Sequence, residues 1–161
     1  MNLPTSVPVD LFANPANLIP FETIRRLLPY DPPLLLIDRA APMGKEAISV
    51  QKAVSGADPL VAAHLTDGPA MLPGVLVIEM VGQAALLLAK LGGSAEPENP
   101  VVLGRCKARF NRPAFVGQTV TASLTVERAA DGSLVRALVF ADEDTMAEVE
   151  LVAGPLKQKL R

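Results

Sequence analysis

One stretch of the chain restricts its fold more than any other. Residues 73–93 read PGVLVIEMVGQAALLLAKLGG. That is about five turns of helix, apolar on nearly every face. Pro73 suits a first helical turn, where its missing N–H costs nothing, and Gly92-Gly93 supply a stop. A helix apolar all round needs cover on every side. Glu79, Gln83 and Lys90 interrupt it, which marks the buried helix of a globular protein rather than a membrane span.

The remaining segments supply cover. Beyond a polar loop at 94–99, strand-like runs are expected at Val101 to Arg112, Thr119 to Arg128, Ser133 to Ala141 and Met146 to Ala153. Asp131-Gly132 marks a hairpin turn between the second and third. Before the long helix, Phe21 to Leu28 reads as a short helix stopped by Pro29. LLLID (34–38) and Lys45 to Val54 read as two further strands, and residues 55–72 as a loop with one helical turn at most. Residues 1–20, with Pro4, Pro8, Pro15 and Pro20, form an irregular arm, and 21–161 a single domain. One long helix and about six strands describe an α+β fold, a curved antiparallel sheet wrapped round the helix. One sheet leaves part of that helix bare, so a dimer is expected.

Charge and cysteine usage narrow the function classes. A net charge of −2 and a pI near 5.4 argue against nucleic-acid binding. Cys106 is the single cysteine, so no intramolecular disulfide forms, which fits a reducing compartment. The N-terminus lacks a charged region followed by an apolar one, so no signal peptide is read, and a cytoplasmic protein without membrane attachment is expected.

Two titratable residues stand out. Glu79 sits among Val77, Ile78, Met80 and Val81, where burial of a lone carboxylate is costly; it is either a candidate general acid with a raised pKa or a helix glutamate at a solvent-facing notch. Gln83, one turn on, could hydrogen-bond that carboxyl and fix its rotamer. His64 is the only histidine, which removes any multi-histidine metal site. It is either a hydrogen-bonded surface residue or the base to Glu79's acid, since paired titratable groups in different environments divide these roles. Pro73-Gly74 is helix punctuation, or else the point where free first-turn N–H groups hold a developing oxyanion. Cys106, between Arg105 and Lys107, reads as a small core residue more readily than as a nucleophile.

Three segments in order carry a family resemblance. LLPYDPPLLLIDR (27–39) resembles LLPHRPPFLLVDR, MLPGVLVIEMVGQAA (71–85) resembles MPGVLILEAMAQAA, and KARFNRPAFVGQ (107–118) resembles KARFRRPVVPGD of the FabZ-type 3-hydroxyacyl-(acyl carrier protein) dehydratases. The resemblance spans roughly 21–153 and implies a hot-dog fold, with the long helix as the sausage, and a double hot-dog dimer whose sites are shared between subunits. It implies a catalytic histidine at His64 from the GHFPGNPVMPG loop, a catalytic glutamate at Glu79, a helix-start glycine at Gly74 and a supporting glutamine at Gln83. The substrate implied is a 3-hydroxyacyl thioester on the phosphopantetheine of acyl carrier protein, dehydrated without metal or redox cofactor. His64 would take the α-proton, a Gly74 N–H would steady the carbonyl oxygen, and Glu79 of the partner subunit would protonate the departing hydroxyl.

The chain departs from the pattern in places. Leu65 replaces phenylalanine, Thr66 replaces proline, and one extra residue lies between His64 and Pro73, so the loop that aims the histidine is altered. Tyr30 stands where the family has histidine, a position read as structural. Glu79 is not the aspartate of FabA-type dehydratase–isomerases, which implies dehydration without isomerisation. The divergent loop and Pro-rich arm suit polyketide or polyene assembly as well as fatty acid synthesis. Two rivals are a hot-dog acyl-CoA thioesterase or hydratase, and a non-catalytic partner subunit of a heterodimeric dehydratase; retention of both His64 and Glu79 weighs against the second. An acidic carrier needs a basic landing site. Arg105, Lys107, Arg109 and Arg112 offer one, the first three on one strand face, with Arg25 and Arg26 on the short helix; equally, they form a solvated strand face.

Overall fold

The computed structural model describes residues 3–93, 101–129 and 132–155. The polar loop expected at 94–99, and Asp131 of the expected hairpin turn, lie outside the described residues. Among the described residues, six strands form one antiparallel sheet: β1 (Arg39–Pro42), β2 (Ala47–Ala53), β3 (Val101–Phe110), β4 (Thr119–Ala129), β5 (Gly132–Ala141) and β6 (Asp144–Pro155). Their order is β1-β2-β4-β5-β6-β3, so β1 and β3 are the edges. The helices are α1 (Val9–Ala13), α2 (Phe21–Leu27), α3 (Pro59–Ala62) and α4 (Gly74–Leu91). This is the α+β arrangement of a hot-dog fold.

The long helix forms where the sequence places it. Pro73 stands at its N-cap, and at its end Gly93 takes the left-handed φ of +67° that a side chain would resist. Val77, Met80, Val81, Ala84, Leu87 and Leu88 recur three and four apart and are buried. They share a core with Ile48 and Val50 of β2 and Val120, Ala122 and Leu124 of β4, the two strands α4 packs on most. Among the described residues, that face and Gln83 are the parts of the helix most fully covered within one chain. Val75 is 71% exposed, and Ile78, Glu79, Gly82 and Leu86 are half-buried, so burial on every side does not hold for the isolated subunit. By length and composition alone α4 could cross a membrane, yet its apolar stripe is committed to the sheet.

Two expectations need correction. LLLID (34–38) is not a strand; β1 begins at Arg39. Leu35, Leu36 and Ile37 are buried as their apolar character demands, but their backbone finds its partners elsewhere. The Leu36 N–H donates to the side-chain oxygen of Gln83, and the Leu34 carbonyl accepts from the Gln83 amide, in place of a neighbouring strand. The arm is also more ordered than its prolines suggest. Phe12 of α1 is buried, with the Arg39 guanidinium 5.4 Å from its ring centroid, and Ile19 makes a bridge with Ala40.

Candidate active site

His64 is held from both sides of its loop. Before it, Asp58 caps α3: Oδ1 accepts from the Leu60 N–H at 2.9 Å, and Oδ2 pairs with Lys52 Nζ at 2.7 Å. Both side chains are largely buried. Burial works against the Asp58 carboxylate, but hydrogen bonds from Lys52 and from the Leu60 N–H, together with the lysine charge, hold its pKa below the ordinary 3.8. The His64 N–H then donates to the Val61 carbonyl, and Leu65 turns the chain with a φ of +50°, a left-handed conformation strained for a leucine. After it, Ala70 and Leu72 hydrogen-bond Val116 and Ala114, tying the return leg to the segment beyond β3.

That tie fixes the histidine's tautomer. Nδ1 of His64 lies 3.2 Å from the Met71 carbonyl, which only accepts, so Nδ1 carries the proton in this contact. In the neutral ring Nε2 is then left with a free lone pair, the form a general base requires.

Gly74 opens α4 beside this ring. No side chain among the described residues caps the helix, so its first N–H groups are available to an acceptor. A Cβ at Gly74 would stand 3.2 Å from Cζ of Phe110, so the glycine lets that ring lie against the helix start. His64, Gly74, Phe110 and Arg112 line one cavity of about 350 Å³.

Glu79 faces elsewhere. It lines a cavity of about 270 Å³ with Tyr30, Ile78, Leu86, Val101 and Leu103. Gln83, fully buried, accepts from the Leu36 N–H at 3.0 Å and donates to the Leu34 carbonyl at 2.7 Å and to Glu79 Oε1 at 3.0 Å. The expected glutamine–glutamate contact is present. The histidine and the glutamate, however, line separate cavities within one chain: Gly74 goes with His64, and Gln83 with Glu79.

The four basic residues separate as well. Lys107 lies opposite Glu150 and Arg109 opposite Glu148 across the β3–β6 pairing, and Arg105 pairs with Glu150 at 3.5 Å. Arg112 pairs with Asp144 and borders the His64 cavity. Cys106 is exposed on the edge strand, so its reading as a core residue does not hold. Among the described residues no group of three or more His, Cys, Asp or Glu could hold a metal ion.

Sequence reasoning missed Tyr30 as a neighbour of Glu79, and the Lys52–Asp58 pair behind α3. The only signals were a lone tyrosine before a Pro-Pro pair and a lysine in an apolar strand.

Known proteins share this framework. The chain is 34% identical over 137 residues to the 3-hydroxyacyl-(acyl carrier protein) dehydratase FabZ of Anaeromyxobacter sp. (strain K), covering 81% of this chain and 86% of that protein. It is 34% identical over 134 residues to the enzyme of the same name from Syntrophotalea carbinolica, covering 81% and 90%. Among solved structures, the dehydratase heterocomplex ApeI:P from Xenorhabdus doucetiae superposes with a TM-score of 0.68 at 19% identity, covering 84% of this chain and 91% of that one. The PaaI protein of E. coli, from the phenylacetic acid degradation operon, gives 0.57 at 18% identity, covering 71% and 80%. At these identities the structures speak to the fold alone. The FabA-like domain matches residues 28–154, from the end of α2 through β6, and the chain belongs to that family.

Proposed function

We propose that this chain is a hydro-lyase that dehydrates a 3-hydroxyacyl thioester on acyl carrier protein to the trans-2-enoyl thioester, in fatty acid biosynthesis. The observation that carries the reading is the His64 ring, its Nδ1 held by the Met71 carbonyl and its Nε2 free to act as base, in a chain with dehydratase relatives at 34% identity over most of its length. Nε2 takes the proton from C2. Its electron pair forms the C2–C3 double bond as the C3–oxygen bond breaks, and Glu79 gives the departing hydroxyl the proton that completes water. An N–H at the start of α4, at Gly74, receives the thioester oxygen as negative charge gathers there. The chemistry is assigned to side chains, with no cofactor beyond the carrier's own phosphopantetheine.

Two partners complete the reading. His64 and Glu79 line different cavities in one chain, and α4 keeps a half-exposed apolar face beside the exposed edge residues Val101 and Leu103. A homodimer in which each site takes His64 from one subunit and Glu79 from the other accounts for both facts. The place of work is the cytoplasm, where the carrier is met. The same reaction would serve polyketide or polyene assembly, and the altered loop after His64, with Leu65 strained at its start, is where such a difference in acyl chain would be felt.

The test is incubation with a 3-hydroxyacyl-carrier substrate and mass analysis of the acyl group. Loss of one water with the thioester intact is expected. Release of free thiol would identify a thioesterase instead, and an unchanged substrate would leave the non-catalytic subunit as the reading.

A further inference from the structure

Glu79 has a neighbour that the catalytic reading does not use. Tyr30 follows α2 and is half-buried against the core, and it lines the same cavity as Glu79. The segment just beyond it is fastened to α4 through one side chain. Gln83 Oε1 accepts from the Leu36 N–H, while its Nε2 donates both to the Leu34 carbonyl and to Glu79 Oε1. A glutamate halfway along an apolar helix thus takes a neutral amide from its own helix on Oε1 and shares its cavity with a phenol from the connecting segment.

We propose that Tyr30 is a positioning residue for Glu79, its hydroxyl acting with the Gln83 amide to orient the carboxyl into the cavity. The proposal rests on the reading of Glu79 as the acid. Gln83 donates to Oε1, so the remaining oxygen must carry the proton that is delivered, and a single amide leaves that end free to rotate away from substrate. A phenol from a different element restricts that rotation. It is neutral at working pH, so it does not compete for the role of acid, and its aromatic body packs on the apolar lining while its hydroxyl serves the carboxyl. The two sides act on each other: burial first, then the charge and hydrogen-bonding of Glu79, raise the Tyr30 phenol above its ordinary 10.0. Among the described residues, Arg128 is the other titratable group lining this cavity, at the Gly92 end of α4.

The composition makes the contact directly observable. Tyr30 is the only tyrosine and the chain has no tryptophan, so ultraviolet tyrosinate absorbance reports on this one group. In the full-length protein the phenol should titrate above 10.0, and in Glu79→Gln its midpoint should fall because the charge is gone while the burial remains. Tyr30→Phe keeps the ring and should lower kcat about ten-fold with KM unchanged, a part of the range acid catalysis supplies. A tyrosinate midpoint identical in wild type and Glu79→Gln would overturn the proposal, as would full kcat in Tyr30→Phe when Glu79→Gln is inactive. Both results leave Glu79 as the acid. A fully active Glu79→Gln would overturn the acid assignment and this proposal together.

Discussion

The side-chain amide of Gln83 stands 3.0 Å from Oε1 of Glu79, one helical turn before it on α4. The same amide closes the backbone of Leu34 and Leu36. A single fully buried side chain therefore serves the catalytic candidate and replaces the strand pairing that LLLID would otherwise have needed. Removing it should be felt in both places.

Gln83→Leu fits the volume but strips the partners from the buried Leu36 N–H and the part-buried Leu34 carbonyl. An unsatisfied buried group costs about 1–3 kcal/mol and a part-buried one less, so a loss of roughly 1–5 kcal/mol is expected. In urea denaturation the midpoint should fall by an amount consistent with that loss. Glu79→Gln keeps a hydrogen-bonding side chain beside Gln83 and should unfold near the wild-type midpoint. Equal stability of Gln83→Leu and wild type would show that water satisfies the 34–36 backbone.

The separation of His64 from Glu79 gives a test of the shared site. His64→Ala and Glu79→Gln should each lose about 10²-fold or more in kcat, the contribution of one acid–base group. Mixed and allowed to exchange subunits, the two inactive proteins should recover activity, because a mixed dimer holds one intact pair. No recovery from well-mixed, folded subunits would place both groups in one chain. Light scattering of the wild type at micromolar concentration should give twice 17.0 kDa, and a fully active monomer would remove the model.

How much of this was legible without coordinates depended on what each signal reported. The α4 limits followed from Pro73 and the Gly92-Gly93 pair, and β4 to β6 from apolar runs broken by turn residues, because these are local effects. LLLID misled because apolar content reports burial, and here the backbone partner was a side chain 47 residues away. The candidate site residues came from the family resemblance as much as from chemistry. A lone histidine and a lone helix glutamate gave no sign that they would line different cavities. Tyr30 read as a structural departure from the family pattern, because the cavity it shares with Glu79 is a tertiary feature.

The Lys52–Asp58 pair should carry a pH signature. The Asp58 pKa is lowered on folding, so its contribution to stability is present above the unfolded value near 3.8 and is lost as pH falls through the folded value. Thermal melts from neutral pH downward should therefore show a fall in Tm below that point which Asp58→Asn lacks. At neutral pH Asp58→Ala removes both the cap and the counter-charge of a buried lysine, and a loss of about 3–5 kcal/mol is expected. Since α3 leads straight to His64, activity should fall even in the folded fraction. A variant as active as wild type per folded molecule would separate the pair from the site.

Gly74 admits no side chain without movement of Phe110. Gly74→Ala should reduce kcat/KM with little change in Tm, because Phe110 is 43% exposed and able to swing outward into the cavity it shares with His64. Adding Phe110→Leu should relieve the contact and restore part of the loss, a coupling expected of residues that touch. Additive losses would mean that the ring plays no part in the effect.

The structure sharpens the sequence's reading of carrier docking. Four basic residues crowd 105–112, and each has an acid near it: Arg105 pairs with Glu150, Arg112 with Asp144, and Lys107 and Arg109 stand opposite Glu150 and Glu148 in the strand register. Paired charges of alternating sign give little net field at a distance. Arg112 differs in position, since it borders the cavity that holds His64, and its partner Asp144 is 66% exposed. An exposed pair of this kind is worth about 0–1 kcal/mol, so Arg112→Gln should hardly alter stability. It should raise KM for a carrier-bound substrate more than the double change of Arg105 and Arg109 to glutamine does. The effect should shrink as ionic strength rises, because steering of an acidic partner is screened over a Debye length of about 10 Å at 0.1 M salt. With a small pantetheine thioester, which lacks the acidic carrier, Arg112→Gln should turn over at the wild-type rate. Equal losses on both substrates would assign Arg112 to the site and not to docking. A larger effect at Arg105 and Arg109 would move the landing surface out along β3.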